Sequence, residues 1–266
     1  MAGAVIITRP LAQARPLAAR VAALGYPVEV LPLLDITPLP QPTELLAALA
    51  QLQLPTPSYQ LVAFVSPNAI DAAFAHIKPV PPGVTWAVVG EGSRLALAAH
   101  GVTADRAHIV SPLDTAHSDS EHLLQALDLA ALRGRRALII RGDGGRELLA
   151  DGLRAAGATV DVVAAYRRSV PVLTPALEAK LRHLLEQQND WIITSSEALR
   201  GLCGLLSELD ARAPGSGSPS VVAMQHQHLI VPHARIAETA HNLGFCRVTL
   251  TGSGDERLLA ALQSRL

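Results

Sequence analysis

The feature that most constrains this chain is that it repeats itself. Short apolar or β-branched runs recur, each followed by a helix-length stretch: AVIIT (4–8), VEVLPLL (28–34), LVAFV (61–65), TWAVV (85–89), ALII (137–140), VDVVAAY (160–166), WIIT (191–194) and HLIV (228–231). Runs this short and continuously apolar suit strands buried on both faces, so the alternation predicts βαβ units and a parallel sheet. The segment TRPLAQARPLAARVAALGYPVEV then lies on IRGDGGRELLADGLRAAGATVDV, with Arg9 on Arg141 at an offset of 132. The same offset carries Leu17, Val21, Leu24 and Gly25 onto Leu149, Leu153, Ala156 and Gly157, which is one helix face followed by its glycine stop. FVSPNAIDAAFAHI lies on ITSSEALRGLCGLL, with Ser66 on Ser195 at an offset of 129. Ile70, Ala73, Phe74 and Ile77 fall on Leu199, Leu202, Cys203 and Leu206. VVGEGSRLALAAHGV and IVPHARIAETAHNLGF make a third, looser pair. Three matches in the same order predict a duplicated α/β domain.

Both copies of the first unit run into proline-rich exits, LPLLDITPLPQP (31–42) and YRRSVPVLTP (166–175). These suit extended connectors better than helix or central strand, and they mark two crossings between domains. The repeat alone leaves two arrangements open: the halves follow one another, or they exchange their first units. APGSGSPS (213–220) reads as a surface loop.

Composition narrows the function classes. The 266 residues are 49% hydrophobic and 17% charged, yet no apolar run approaches the roughly 18 residues of a spanning helix. A net charge of −1 lacks the basic excess of a nucleic-acid binder. Cys203 and Cys246 are too few for a disulfide framework and suit a reducing cytosol. The opening MAGAVIITRP lacks a basic leader region and runs into a strand, which predicts no secretory signal and a cytoplasmic protein.

In a parallel α/β sheet, ligands bind outside the carboxyl ends of the strands, where helix N-termini point. The residues to inspect are therefore those at the strand-to-helix corners: Thr8-Arg9-Pro10, Ser66-Pro67-Asn68, Gly90-Glu91-Gly92-Ser93, Arg141-Gly142-Asp143-Gly144-Gly145-Arg146, Thr194-Ser195-Ser196 and Pro232-His233. Pro67 has the look of a first-turn proline. Free backbone N–H groups and the helix dipole favour anions there. Arg9, Arg94, Arg141, Arg146, Arg200 and Arg235 lie at or just beyond these corners. Two domains presenting such corners to a shared cleft would hold a ligand with several carboxylates. Any single Ser or Thr at a helix start is first of all an N-cap, and it is their number beside arginines that argues for function.

Conventional catalytic signatures are absent. The chain has no P-loop, no G-x-S-x-G elbow and no H-E-x-x-H. GEGSRL (90–95) begins like a dinucleotide fingerprint but places Leu95 where a small residue belongs. His226 and His228 would share a strand face near His233 and could chelate zinc, but without a closing carboxylate or cysteine pattern the case is weak and polar loop residues are the plainer reading. His241 reads as a surface or half-buried helix residue. In SPLDTAHSDSEHLL, Asp114, Asp119 and Glu121 read as capping groups, with Ser118 or Ser120 starting the helix. Tyr166 stands apart. It is one of three tyrosines, it ends a buried strand beside Arg167 and Arg168, and it reads either as a core aromatic or as a phenol donating at the cleft, a weak general acid.

At these residues the sequence resembles the uroporphyrinogen-III synthase family. The resemblance runs over nearly the whole chain: ITRP with LGY and LPLL, FVSPNAI, VVGEGSRLAL, DSEHLL, LIIRGDGGRELL, AYRR, IITSSEAL, VPHARIAETAHNLGF and TGSGDERLLAAL. It implies two doubly wound parallel-sheet α/β domains, flavodoxin-like, joined by a two-stranded connector. The first would be discontinuous, about 1–36 plus 172–266, and the second about 37–171, with crossings near 35–42 and 166–175. It implies a reaction in the interdomain cleft: hydroxymethylbilane loses water and closes to a macrocycle with its last ring inverted, without metal or organic cofactor. Hydroxymethylbilane carries eight carboxylates, which suits Thr8, Arg9, Ser66, Pro67, Asn68, Gly90, Ser93, Arg141, Gly142, Thr194, Ser195, Ser196 and His233 as the binding set. Tyr166 would assist departure of the hydroxyl. The partners expected are this substrate and a transient contact with hydroxymethylbilane synthase, on a monomer that binds neither nucleic acid nor membrane. Ser93 stands where the family often has threonine, and PSVVAMQHQH (219–228) matches no element of the pattern. The rival from another class is a non-catalytic two-domain sensor of a polycarboxylate or tetrapyrrole, which would have no turnover to lose on Tyr166→Phe.

Overall fold

Two sheets take up all the strands of the computed structural model, which describes residues 3–77, 81–114, 118–212 and 219–264. Residues 1–35 with 169–266 form one compact unit, and 36–168 form the other. The first unit holds β1 (Val5–Ile7), α1 (Leu11–Ala23), β2 (Val28–Val30), α7 (Pro175–Leu185), β9 (Asp190–Ile192), α8 (Ser196–Arg212), α9 (Ser220–Gln225), β10 (His228–Val231), α10 (Ala234–Asn242), β11 (Arg247–Leu250) and α11 (Asp255–Gln263). The second holds α2 (Thr43–Leu52), β4 (Leu61–Phe64), α3 (Pro67–Phe74), β5 (Thr85–Val88), α4 (Glu91–Ala99), β6 (His108–Val110), α5 (Ser120–Ala126), β7 (Arg136–Gly142) and α6 (Leu148–Ala155). The chain passes between the units in β3 (Asp35–Pro38) and β8 (Thr159–Ser169), which are neighbours in the second sheet.

The duplication extends to hydrogen-bond register. The first sheet runs β11-β10-β9-β1-β2, and the second runs β3-β8-β7-β4-β5-β6. Counted from β7, the second has the same order as the first, entered at a different point of the chain. Val5 pairs Asp190 and Val28 in one sheet; Ala137 pairs Leu61 and Val160 in the other. These are the positions that the sequence offsets of 132 and 129 interchange. The stop glycines match as well: Gly25 and Gly157 sit at φ of 86° and 90°, a left-handed conformation that ends each first helix.

Strand alternation divides each core in two. In the second unit Val62, Phe64, Trp86, Val88, Leu138 and Ile140 face α2, α3 and α4. Leu61, Ala63, Ala87, Ala137 and Ile139 face α5 and α6. In the first, Ile6, Trp191, Ile193, Leu229 and Val231 face α7, α8 and α10, while Val5, Ile7, Ile192 and Ile230 face α1 and α11. The doubly wound architecture therefore follows from apolar residues on both faces of every central strand.

The proline-rich stretch read as an extended connector is extended, as β3, which tolerates Pro38 because it is the outermost strand of its sheet. Other local expectations change. β8 continues past Tyr166, so Arg167 and Arg168 belong to the strand. Asp119 rather than Ser118 or Ser120 caps α5, its carboxylate accepting from the His122 N–H at 2.9 Å. Residues 220–225 are helical, with Ser220 bound to the Asp210 carboxylate. His226 closes that helix and His228 opens β10, so the two share no strand face. The imidazole of His228 lies between Asp190 (2.7 Å) and Thr249 (2.9 Å). Of the segment read as a loop, 213–218 lie outside the described residues.

Polar clusters seal the amino ends of both sheets. In the first unit buried Asn189 accepts from the Ala4 N–H (2.7 Å) and donates to the Leu184 carbonyl (2.7 Å). Gln227 accepts from the Asn189 N–H (2.8 Å) and from the Trp191 indole (3.3 Å). In the second unit the Tyr59 hydroxyl donates to Asp161 at 2.8 Å, while Arg136 binds the same carboxylate oxygen at 2.6 Å and lies over the Tyr59 ring. Burial first, then the Asp161 carboxylate, push the Tyr59 phenol up to about 12, against the opposing pull of Arg136.

Replacing Asn189 with Ala should cost about 2–3 kcal/mol in chemical denaturation, because two backbone groups lose their partner. In an absorbance titration at 295 nm, one tyrosine should ionise only near pH 12, and Tyr59→Phe should remove that late step. Its folded pKa lies above its unfolded value. The stability it contributes is therefore complete below about pH 10 and is lost as pH rises through about 12.

Candidate functional site

The helices after β7 and β4 leave on opposite faces of their sheet, as do those after β1 and β9, and these are the two crevices where a doubly wound sheet binds ligands. In the second unit the crevice has Ser66 on one side. Its Oγ accepts from the Ala69 N–H at 3.2 Å and so caps α3, with Pro67 as the first helical residue. On the other side Gly142 ends β7.

Tyr166 comes from β8, one strand further out, and its hydroxyl lies 3.0 Å from Ser66 Oγ. β7 stands between β8 and β4, so the phenol reaches Ser66 only by lying over β7. Two features permit this. The register slips at this point: Arg141 pairs Ala164, but Gly142 pairs Tyr166, so β8 carries one extra residue and turns the tyrosine. Gly142 also has no side chain. A Cβ there would meet the ring at 3.0 Å and the hydroxyl at 3.2 Å. The Asp143 N–H donates to the Tyr166 carbonyl at 2.9 Å and fixes the backbone.

The phenol is buried, 6% exposed, yet it borders open space. A cavity of about 460 Å³ runs beside it, bordered by Ile36, Pro38, Pro42, Asn68, Asp71 and His76 among others. Two hydroxyls bring two hydrogens to the Ser66–Tyr166 pair, and the bond between them uses one. Whichever is the donor, the second hydrogen remains for a ligand.

The corner arginines are not waiting for an anion. Arg141 pairs with Glu147 and donates to the Arg146 carbonyl, and Arg146 pairs with both oxygens of Glu121. That guanidinium holds the Glu121 carboxyl below the usual carboxylate range. Arg167 lies 3.4 Å from Asp143, which also accepts from the Arg168 N–H. Arg94 binds Glu91 within α4, and Arg9 binds Asp255 at 2.7 Å. Arg200 and Arg235 lie exposed on α8 and α10. Gly90 is the cap residue of α4, and Ser93 is buried one turn in.

The first unit repeats the crevice without the phenol. Ser195 accepts from the Ala198 N–H at 3.4 Å, as Ser66 does from Ala69. The offset that carries Arg9 to Arg141 carries Leu34 to Tyr166, and Leu34 is core. Thr8 is buried and donates to the Ile192 carbonyl at 2.7 Å, stitching β1 to β9. Ser196 is buried and accepts from Thr239 at 3.1 Å. Thr194 is half-buried, and His233 is the cap residue of α10. The structure thus brings Ser66, Pro67, Asn68, Gly142 and Tyr166 together at one crevice, and Thr8, Arg9, Thr194 and Ser195 at the other.

A family model described as uroporphyrinogen-III synthase HemD matches residues 15–251. The chain belongs to the uroporphyrinogen-III synthase family. The uroporphyrinogen-III synthase of Escherichia coli K12 is 31% identical over 97% of this chain and 99% of its own length. That of Synechococcus elongatus is 31% identical over 76% of this chain and 74% of its own. Among solved structures, a mutant uroporphyrinogen III synthase of Thermus thermophilus superposes with a TM-score of 0.61 at 16% identity, covering 99% of both chains. The uroporphyrinogen-III synthetase of Helicobacter pylori 26695 gives 0.59 at 14%, covering 99% of this chain and all of that one. These likenesses extend to the two-domain α/β fold with parallel sheets. The family's enzymes belong to porphyrin and heme biosynthesis, and among the described residues no helix is long and apolar enough to cross a membrane.

Sequence reasoning missed the cavity and its walls in Ile36–Pro42, because a proline-rich stretch carries no periodicity to place it against α3. Gly142→Ala should push the Tyr166 ring off Ser66. The expected result is a cost of about 1–3 kcal/mol in denaturation and, in a crystal structure of the variant, a hydroxyl separation beyond hydrogen-bond range.

Proposed function

We propose that this chain is a cofactor-independent lyase that converts hydroxymethylbilane to uroporphyrinogen III and water. The observation that carries the reading is the Tyr166–Ser66 hydroxyl pair at the crevice of the second unit, in a chain of the synthase family. The phenol of Tyr166 donates its proton to the departing hydroxyl of the bilane. The C–O bond breaks, water leaves, and an azafulvenium cation forms on the first ring, its ring N–H retained. The last ring attacks through its substituted carbon to give a spiro intermediate. That intermediate fragments and recloses through the unsubstituted carbon, and the proton this carbon loses returns to the phenolate. Ser66 steadies the phenol throughout and supplies a hydrogen bond to the phenolate oxygen.

The substrate's carboxylates are held by helix-start N–H groups and hydroxyls at Ser66, Asn68, Gly90, Ser93, Gly142, Thr194, Ser195 and His233, while Pro67, which has no N–H, fixes the first turn of α3. Arg9 and Arg141 engage them only by leaving Asp255 and Glu147. Thr8 and Ser196 serve by holding the corners in shape, since their hydroxyls are already bonded within the fold. Much of the rate comes from posture, because a linear chain held in the right curl reaches the substituted carbon first. The protein acts as a cytoplasmic monomer that receives the unstable bilane from hydroxymethylbilane synthase.

Purified protein given freshly made hydroxymethylbilane should yield isomer III without added cofactor, against a spontaneous background of isomer I, when the products are oxidised and separated. Tyr166→Phe should lower kcat by about 10²-fold, the lower end of what a general acid contributes, with KM little changed. Isomer I alone from folded protein would remove the synthase reading.

A further inference from the structure

Helix α3 has two working faces. Ala69, Ile70, Ala73 and Phe74 enter the core. Asn68, Asp71, Ala72, Ala75 and His76 follow the spacing i, i+3, i+4, i+7, i+8, and all five border the cavity beside Tyr166. Ala72 and Ala75 leave room within that stripe, and Asn68, Asp71 and His76 are polar. The facing wall, from β3 to the start of α2, is Ile36, Pro38, Leu39, Pro42 and Leu45 with Thr37 among them, and Ala165 and Tyr166 close the inner end. A cavity with a largely apolar wall facing Ala72 and Ala75, and about 460 Å³ of room, is a slot for a flat ring, within the size range of small-molecule sites.

Besides Thr37, Asn68 and His76, a ring in this slot meets two polar groups that fit its chemistry. At the inner end is the Tyr166 hydroxyl with its Ser66 partner. On the α3 wall is Asp71, whose carboxylate is positioned by His100 Nε2 at 2.9 Å, the His100 ring in turn stacking on Phe74 at 4.9 Å. A carboxylate has about four acceptor sites, and His100 occupies one. The slot therefore suits an aromatic ring with an N–H to donate and a reacting substituent next to it.

Resting on the synthase reading above, we propose that this slot takes one pyrrole ring of the linear tetrapyrrole. The ring's hydroxymethyl carbon points to Tyr166 and its N–H donates to Asp71. A pyrrole N–H left unpaired against Pro38 and Leu45 would be costly, and Asp71 supplies the acceptor. When the hydroxyl leaves with the phenol's proton, positive charge spreads to the ring nitrogen, and the carboxylate has the sign that stabilises it. Asp71 is then a second catalytic residue, acting on the cation while Tyr166 acts on the leaving group.

The test needs no turnover. The full-length protein is titrated with an α-methyl monopyrrole carrying one acetate and one propionate, followed by amide NMR shifts and calorimetry. Shifts should centre on Ala72, Ala75 and Tyr166. Ala72→Leu and Ala75→Leu, each filling the slot, should weaken binding at least tenfold with unchanged circular dichroism. In the isomer III assay these variants should raise KM, whereas Asp71→Asn should lower kcat about tenfold or more. Shifts confined to other parts of the protein, or both leucine variants binding like wild type, would overturn the proposal. The two readings fail separately. Isomer I alone with a pyrrole bound at Ala72 removes the synthase and keeps the ring slot, and isomer III without slot shifts does the reverse.

Discussion

Burial of both faces of the central strands is the constraint from which the rest of this molecule follows. β1, β9, β4 and β7 are apolar on either side, so helices must cover both faces, and the strands from β11 to β2 and from β8 to β6 pair in parallel. Such a sheet has only its two ends to offer the solvent. The amino ends are sealed by Asn189 with Gln227 in one unit and by Tyr59, Arg136 and Asp161 in the other. The carboxyl ends carry the hydroxyls, glycines and helix starts. Division of labour between the two ends is thus set before any particular residue is chosen.

Within that frame the two crevices are alike in skeleton and different in chemistry. Ser66 and Ser195 cap corresponding helices, but the position of Tyr166 is held by Leu34 in the other unit. The phenol also needs a bulge in β8 and a bare Gly142 to cross a strand, and the corresponding position in the first unit is Pro10, which has a side chain in the way. A duplicated domain can keep one copy as scaffold while the other acquires a reactive group.

Much of the fold is legible in the sequence because it is written locally. The offsets of 132 and 129 reappear as strand register, since apolar spacing and stop glycines are properties of neighbouring residues. β3, β6 and β11 escape notice because they lie at sheet edges, are three or four residues long and are half-exposed, so burial leaves little mark on their composition. The corners of the candidate site are legible for the same local reason. The Tyr166–Ser66 bond is not, because it joins residues 100 apart in sequence through a one-residue slip in register. Nor are the partners of the arginines. Arg146 could be placed at a corner from the sequence, but its attachment to Glu121 depends on α5 and α6 lying side by side.

The second unit is one uninterrupted stretch of chain, 36–168, whose two ends lie in adjacent strands, while the first is split around it. On the ribosome this sets an order of events. The second unit can complete its sheet as soon as β8 has emerged. β1 and β2 must by then have waited more than a hundred residues, and β9, the central neighbour of β1, is made later still. During that interval Val5, Ile6 and Ile7 have only β2 to pair with and lack their other neighbour β9, an apolar strand open along one edge. The segment that is among the most deeply buried in the finished protein is therefore one of those exposed longest while the chain is being made.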